Sequence, residues 1–214
     1  MVRRIRERIC GLKHLKKLVY LISPNKIDQN FFASLDKVLS YKNVKFFQLR
    51  LKNLSQKKLL NFSKRIIKIT TKHKVKFIIN DNFILASKIN ADGCHMGQHD
   101  GSFLKARKKL KNKIFGITCH NSKKLATNAI KNKVSYIAFG SFFKSKLKQN
   151  AIKANLNILR WAKKNVKKPI VAIGGINNKN YKKIIRAGAN YIAISSFIWD
   201  NPNLKPEEAI RKFK

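Results

Sequence analysis

Carboxylates are scarce in this sequence, yet three of them lie close together. The 214 residues include 9 Asp and Glu against 49 Lys and Arg, a formal net charge of +40. Asp81, Asp92 and Asp100 all fall within FIINDNFILASKINADGCHMGQHD, residues 77–100. Two carboxylates facing a phosphorylated substrate would repel it unless a cation lay between them, and Mg²⁺ binds hard oxygen ligands together with substrate phosphates. We therefore interpret Asp81 and Asp100 as ligands of Mg²⁺, with a pair of solvated loop carboxylates as the alternative.

The third carboxylate, Asp92, has a different sequence context. It lies in Asn90-Ala91-Asp92-Gly93, which has the composition of a turn between a helix and a strand. We therefore predict a structural role for Asp92 and do not count it among the metal ligands.

A cationic segment, Gln48-Leu49-Arg50-Leu51-Lys52, precedes these carboxylates. Gln48, Arg50 and Lys52 alternate along it, so on an extended segment they share one face. Two cations and an amide on one face suit a phosphate or a diphosphate. The alternative is a strand end whose Arg and Lys side chains extend into solvent.

Histidine and cysteine supply further candidates. His120 follows a predicted strand and is either a general base or a hydrogen-bonded group that lines a substrate. His95 and His99 have no further ligands at a spacing typical of zinc, so we do not expect a zinc site. Cys119 is expected to be a small buried residue that fills space and not a nucleophile.

The elements that position these residues follow from an alternation of apolar and amphipathic segments. Short apolar segments predict eight strands: LVYLI (18–22), VKFFQLR (44–50), VKFIIN (75–80), GCHM (93–96), KIFGIT (113–118), VSYIAFG (134–140), PIVAIGG (169–175) and YIAIS (191–195). Amphipathic or capped segments predict helices between and after them, including residues 55–73, 121–132, 177–188 and 206–213.

Eight strands alternating with helices indicate a parallel sheet, and the nearly continuous apolar strands are typical of strands buried on both faces. In a chain of this length the count favours a single (β/α)8 TIM barrel over an open doubly wound sheet. We place the barrel in residues 18–214, after a basic N-terminal extension at residues 1–17. The site of such a barrel lies at the C-terminal ends of the strands, where the polar residues named above are found.

The last two strands carry a second phosphate-binding pattern. AIGGI before a predicted helix, followed by YIAISS, resembles the phosphate site of strands 7 and 8 in these barrels. Backbone N–H groups at Gly175, Ser195 and Ser196, with a helix N-terminus, would bind one phosphate. The alternative is a glycine pair that serves only a tight turn.

Composition limits the class of protein. With 44% hydrophobic residues the chain can bury a core, and no apolar run is long enough to span a membrane. Cys10, Cys94 and Cys119 are sparse and lack a CxxC spacing, which predicts reduced thiols and a cytoplasmic protein. The charge of +40 fits a nucleic-acid or membrane-surface binder, but the Lys residues are scattered over every predicted helix, which favours a general enrichment of solvated faces. Either way, the positive field attracts phosphorylated substrates.

Seven segments occur in the order seen in thiamine phosphate synthases, and the resemblance covers roughly residues 18–200. They are FFQLRLKN, FIIND, ADGCHMGQHD, FGITCHN, YIAFGSFF followed by Lys148, PIVAIGGI and AGANYIAISSFIW. The resemblance implies that the chain joins 4-amino-2-methyl-5-hydroxymethylpyrimidine diphosphate to 4-methyl-5-(2-hydroxyethyl)thiazole phosphate, with Mg²⁺ as cofactor. The products would be thiamine phosphate and diphosphate.

The resemblance also implies a role for each matched residue. Contacts to the pyrimidine diphosphate would come from Gln48, Arg50, Lys52 and Asn80. Asp81 and Asp100 would hold Mg²⁺, while Thr118 and Lys148 would reach the diphosphate and the pyrimidine. The thiazole phosphate would be bound by Ser145, Gly175, Ser195 and Ser196. Of these, Arg50, Lys52 and Lys148 would neutralise the departing diphosphate and so count as catalytic.

One segment departs from the family pattern. The family has Pro-Thr-x-Thr-Lys after the sixth strand, whereas this chain has Lys144-Ser145-Lys146-Leu147-Lys148. Ser145 can replace the first Thr, but the Leu147 side chain cannot hydrogen-bond a phosphate. Lys144 and Lys146 add positive charge in its place.

Two other functions stay open at this point. A thiazole tautomerase of the same barrel type would use His120 as its base and would need no diphosphate or Mg²⁺ site, so the cations at positions 50 and 52 and the pair Asp81 and Asp100 argue against it. A non-catalytic basic barrel that binds RNA or another anion would explain the net charge. The sequence leaves the oligomeric state open.

Overall fold

Eight parallel strands form a closed barrel in which each strand pairs with its neighbours in chain order. The computed structural model describes residues 18–52, 54–143 and 153–214. Across them the strands are β1 (Val19–Ile22), β2 (Val44–Leu49), β3 (Lys76–Asn80), β4 (Gly93–Met96), β5 (Ile114–Thr118), β6 (Tyr136–Phe139), β7 (Ile170–Ile173) and β8 (Tyr191–Ile194). Each predicted strand segment contains one of them, and the predicted (β/α)8 barrel is confirmed. The predicted extension at residues 1–17 lies outside the described residues.

The barrel closes through the pairing of its first and last strands. Val19 pairs with Ile192 and Leu21 with Ile194, in the same parallel sense as all the other strand pairs. Most strand residues are buried, as expected of strands covered by helices outside and by side chains inside. Because every strand runs in the same direction, all eight C-terminal ends meet at one rim.

The helices lie on the outside and follow the strands in order. They are α1 (Phe31–Leu39), α2 (Gln56–Lys72), α3 (Phe83–Lys88), α4 (Phe103–Leu110), α5 (Lys123–Lys131), α6 (Leu156–Asn165), α7 (Tyr181–Ala187), α8 (Ser196–Trp199) and α9 (Pro206–Ile210). In the part of the chain that the structure describes, none of them is both long and apolar enough to cross a membrane.

Side-chain caps explain where several helices begin. Ser55 accepts a hydrogen bond from the Lys58 N–H at the start of α2, and Ser122 accepts one from Leu125 at the start of α5. The N-cap of α7 is Asn180 and not the predicted Asn177, so the helix begins at Tyr181. Asn177 instead folds into a turn, because its side-chain oxygen accepts hydrogen bonds from the next backbone N–H groups.

The inside of the barrel has its own core, separate from the layer between strands and helices. It is aromatic at its centre, with ring pairs 5.2–5.9 Å apart, which places large side chains beneath the rim. Its buried members are Tyr20, Ile22, Phe46, Ile78, Tyr136, Ala138, Val171 and Ala193.

Asp92 is a structural carboxylate, as predicted. One of its oxygens accepts a hydrogen bond from the Phe77 backbone N–H at 2.9 Å, and the other contacts the Lys76 ammonium at 2.7 Å. Its backbone carbonyl accepts a hydrogen bond from the Ile114 N–H. Asp92 therefore ties the starts of β3 and β5 together at the opposite end of the barrel from the rim.

Replacing Asp92 tests which of its contacts stabilises the barrel. Asp92→Ala removes the acceptor of the Phe77 N–H and is expected to lower the free energy of unfolding by about 1–3 kcal/mol, since a donor is left without a partner. Asp92→Asn keeps an acceptor and loses only a half-exposed ion pair, so it is expected to cost less than about 1 kcal/mol. Urea unfolding measures both, and equal losses in the two variants would contradict this account.

Candidate active site

A chain of amide hydrogen bonds runs from β2 to the carboxylate after β3. Gln48 is 3% exposed, and its side-chain N–H donates to the Asn80 oxygen at 2.5 Å. Asn80 in turn donates to the Asp81 carboxylate, also at 2.5 Å. Asn80 is fixed in one orientation because it donates on one side and accepts on the other, and its oxygen in turn requires the N–H side of Gln48 to face it. Three residues that the sequence predicted for one site are thus joined directly.

Asp81 and Asp100 come together at the rim, as predicted. Asp81 follows β3 with a φ of 61°, and its backbone N–H donates to the His95 carbonyl. The Asp100 carboxylate is fixed by the Gly97 N–H at 2.6 Å. Burial first, and then the neighbouring Asp100 carboxyl, raise the pKa of Asp81 to about 6, while the charges of Arg50 and Lys52 oppose the rise. The two carboxyl groups therefore share one electrostatic environment.

The chemistry of these donors fits Mg²⁺. Two carboxylates that repel each other at the mouth of a barrel gain from a hard divalent cation between them. Within the described residues no group of three or more His, Cys, Asp and Glu could enclose a metal. A site of two carboxylates matches an ion that keeps water and substrate phosphates as its other ligands, and it does not match an all-protein cage.

The cations predicted beside this pair lie on the same rim. Strand β2 ends at Leu49, one residue earlier than predicted, and Arg50 follows it with a half-buried side chain. Ser23 fixes the backbone of Arg50, since its hydroxyl accepts from the Arg50 N–H at 2.9 Å and contacts the Arg50 carbonyl at 3.2 Å. Lys52 is exposed. The charges of both cations act on Asp81, so positive and negative groups face the same space.

Thr118, at the end of β5, is held from β4 and the loop after it. The His95 Nε2 lies 2.8 Å from the Thr118 hydroxyl oxygen, and the Gln98 side chain donates to the Thr118 carbonyl at 2.5 Å. We predicted no role for His95 or Gln98 from the sequence. The signal that could have found them is the segment HMGQHD, where both stand a few residues from Asp100.

The ends of β7 and β8 form a separate part of the rim. Gly174 and Gly175 have φ angles of 105° and 59°, which favour glycine, and a Cβ on Gly174 would lie 2.0 Å from the Ser141 hydroxyl. The Ser195 hydroxyl donates to the Ser23 carbonyl at 3.0 Å. Ser196 opens α8, a four-residue helix of the kind that completes phosphate sites in these barrels.

The last candidates from the sequence are Cys119 and His120 after β5, and Ser145 and Lys148 after β6. Cys119 is buried, and burial raises the pKa of its thiol to about 12, which confirms a residue that fills space. His120 follows it with a φ of 51°, and its carbonyl accepts from the Gly140 N–H. Ser145 and Lys148, together with the departure at Leu147, lie outside the described residues.

Comparison with known proteins gives consistent results. The sequence model of the thiamine monophosphate synthase family matches residues 19–198. A thiamine-phosphate synthase of Pelagibacter ubique is 56% identical over 200 residues, 93% of this chain and 97% of the relative. The enzyme of the same name from Erythrobacter litoralis is 38% identical, covering 85% of this chain and 87% of its own. The solved structure of thiamine phosphate pyrophosphorylase from Pyrococcus furiosus has a TM-score of 0.82 at 26% identity, covering 94% of this chain and 95% of that one.

The juxtaposition of Asp81 and Asp100 makes a prediction about titration. In Asp100→Asn a like charge is removed, so the pKa of Asp81 is expected to fall from about 6. A titration of the Asp81 side-chain carbon by ¹³C NMR, without divalent ions, measures this change.

Asp36→Asn is the matched control, because it removes one carboxylate that pairs with Lys72 and His73 on the outer helices. It is expected to leave the titration of Asp81 unchanged. An unchanged Asp81 pKa in Asp100→Asn would show that the two carboxyl groups do not interact.

Proposed function

Because the chain belongs to the thiamine monophosphate synthase family and is a thiamine-phosphate synthase, a transferase that releases diphosphate, we propose how its rim performs this reaction. Hydroxymethylpyrimidine diphosphate binds with its diphosphate against Arg50 and Lys52. Mg²⁺ binds at Asp81 and Asp100. The observation that carries the proposal is a pair of carboxyl groups, in a chain that has only nine, placed beside two cations.

The proposed reaction begins with the loss of diphosphate. The bond between the pyrimidine methylene carbon and the diphosphate oxygen breaks, the electron pair leaves with the diphosphate, and the electron-rich aminopyrimidine stabilises the cation. Arg50, Lys52 and Lys148 neutralise the charge that develops on the leaving group, and the Thr118 hydroxyl donates to it. Mg²⁺ held by Asp81 and Asp100 would supply further positive charge to the leaving group.

The amide pair Gln48 and Asn80 orients the pyrimidine end. Because Gln48 donates to Asn80 and Asn80 donates to Asp81, the free amide positions of both residues have fixed donor or acceptor character. An aminopyrimidine presents donors and acceptors side by side, and it is recognised best by groups whose own hydrogen bonds are already set.

The thiazole phosphate binds across the ends of β7 and β8. Backbone N–H groups at Gly175, Ser195 and Ser196 and the hydroxyl of Ser196 are the proposed phosphate ligands, together with Ser145, while the Ser195 hydroxyl donates to the Ser23 carbonyl. The thiazole nitrogen lone pair then forms the new bond to the methylene carbon, which gives thiamine phosphate. No protein nucleophile is needed, in keeping with the Cys119 thiol, whose pKa burial raises to about 12.

The relatives decide between the functions that the sequence left open. Those reported above are named for the synthase reaction, which supports it over a tautomerase that uses His120 and over a non-catalytic anion binder. The substrates are therefore small molecules. The free thiols of Cys94 and Cys119 support the cytoplasm as the place of action.

Product formation tests the proposal. The assay mixes the two phosphorylated substrates with the chain, with and without Mg²⁺, and measures thiamine phosphate. We expect product only with Mg²⁺, and Asp81→Ala is expected to lower kcat/KM by about 100-fold or more, because the charge that holds the cation is lost.

Asp36→Ala is the control, since it also removes one carboxylate but lies on the outer helices. It should retain the activity of the unmodified chain. Product formation that is equal without Mg²⁺, or equal in Asp81→Ala, would overturn the metal assignment, and no product from the folded unmodified chain would overturn the proposed reaction.

A further inference from the structure

Two rings stack inside the barrel across a glycine. The strand register aligns His95 of β4 with Gly116 of β5, and Gly116 with Tyr136 of β6. Because Gly116 has no side chain, the His95 and Tyr136 rings meet over it, nearly parallel at 10° and with centroids 5.6 Å apart. A Cβ on Gly116 would lie 2.0 Å from the Tyr136 ring. Only glycine at position 116 allows this contact.

Hydrogen bonds continue from this ring pair in both directions. The Tyr136 hydroxyl lies 2.7 Å from the Tyr20 hydroxyl and 2.9 Å from the His95 Nδ1. The other ring nitrogen of His95, Nε2, lies 2.8 Å from the Thr118 hydroxyl. Four side chains from four strands therefore form one chain, which begins in the barrel core at Tyr20 and ends at the rim.

The protons of this chain have a preferred direction. Tyr20 is 1% exposed, and among the described residues its hydroxyl forms a hydrogen bond only with that of Tyr136. If Tyr20 accepted from Tyr136, its own proton would be buried without a partner, which is costly. Tyr20 therefore donates to Tyr136, and the single proton of Tyr136 is left to donate to the His95 Nδ1.

Burial keeps the hydroxyls of Tyr20 and Tyr136 protonated, as donation from Tyr20 to Tyr136 and from Tyr136 to His95 requires. Tyr20 and Tyr136 are almost fully enclosed, and desolvation raises the pKa of each well above its ordinary value. Both hydroxyls thus stay protonated and can donate. With Nδ1 accepting, a neutral imidazole carries its proton on Nε2 and donates it to the Thr118 oxygen.

We propose that Tyr20, Tyr136 and His95 are positioning residues that set the direction of the Thr118 hydroxyl. Since the Thr118 oxygen accepts from His95, its own proton is available to point into the site and donate to a diphosphate oxygen. The Gln98 side chain already fixes the Thr118 backbone. The contribution of the hydrogen bonds from Tyr20, Tyr136 and His95 is therefore to set the direction of the Thr118 hydroxyl proton. The assignment of that proton to the diphosphate rests on the proposed function.

The alternative is the opposite tautomer of His95, with the ring proton on Nδ1. If Tyr136 donated to Tyr20, His95 would carry its proton on Nδ1 and its Nε2 would accept. Thr118 would then donate to His95, and its hydroxyl would offer only lone pairs to the site, which suits a diphosphate poorly.

The first experiment measures the tautomer of His95 directly. Nitrogen-15 NMR of the histidine-labelled chain, without substrates, is expected to show the ring proton on Nε2. Tyr136→Phe removes the donor to Nδ1, so a population with the proton on Nδ1 is expected to appear. Tyr191→Phe is the control, because it removes another tyrosine hydroxyl from the same core, next to Phe46, and should leave the tautomer unchanged.

The second experiment measures whether Tyr136 acts through Thr118. Tyr136→Phe is expected to lower kcat by about 10-fold or more with a smaller change in KM, since a lost donor matters most when charge develops on the leaving group. Thr118→Val is expected to lose at least as much. The double variant should be no slower than Thr118→Val alone, because the hydroxyl that Tyr136 directs is already absent.

Variants at His95 separate the two ring nitrogens. The amide nitrogen of His95→Gln can occupy the place of Nε2 and is expected to restore part of kcat, whereas His95→Asn reaches only the place of Nδ1 and is not. Thermal unfolding checks that all variants fold.

The outcomes are distinct. A ring proton on Nδ1 in the unmodified chain, or losses that multiply in the double variant, would overturn the positioning role. No thiamine phosphate from the unmodified chain would overturn the proposed function, while the NMR measurement would still decide the direction of the hydrogen bonds.

Discussion

The backbone hydrogen bonds that join β1 to β8 turn eight parallel strands into a closed barrel. Closure fixes the stagger of every strand against its neighbours and brings all the C-terminal ends to one rim. It also places Ser23, after β1, between the two halves of the site. Ser23 contacts the Arg50 backbone on one side and accepts from the Ser195 hydroxyl on the other. The proposed diphosphate and phosphate regions are therefore linked through the strand that closes the barrel.

The electrostatics of the rim favour function over stability. The pKa of Asp81 is about 6 in the folded chain, above its ordinary value of 3.8, so the folded state holds that proton more tightly than the unfolded state. The tighter binding of this proton stabilises the folded state. Its contribution to the free energy of unfolding is fully present below about pH 4 and is lost as the pH rises through about 6. At neutral pH the ionised Asp81 therefore lowers the free energy of unfolding, and a divalent cation between the carboxylates would offset this loss.

The barrel interior does more than fill space beneath the site. The glycine at position 116 leaves room for two rings, and the rings carry hydrogen bonds from the core to Thr118. Packing and polar contacts therefore depend on each other, because the ring contact holds the donors and acceptors within 2.7–2.9 Å. Replacing one core side chain would therefore alter the hydrogen bonds of Thr118 at the rim.

Much of the fold was readable in the sequence. Apolar segments flanked by polar ones identified all eight strands, since a strand buried on both faces must be apolar along its length. The N-cap of α7 was predicted at Asn177, three residues before the observed Asn180, because a local turn at Asn177 competes with the helix. Scarcity made Asp81 and Asp100 candidates for the site, and alternation made Gln48, Arg50 and Lys52 candidates.

What only the tertiary structure decided is which residues meet. Gln48 and Asn80 stand 32 positions apart, His95 and Thr118 stand 23 apart, and Tyr20 and Tyr136 stand 116 apart. Residue types and periodicity report on neighbours along the chain, whereas these pairs depend on the stagger of strands around the closed barrel. The sequence by itself therefore determined the elements and the chemical groups at their ends, and barrel closure determined the hydrogen bonds that join those groups into a site.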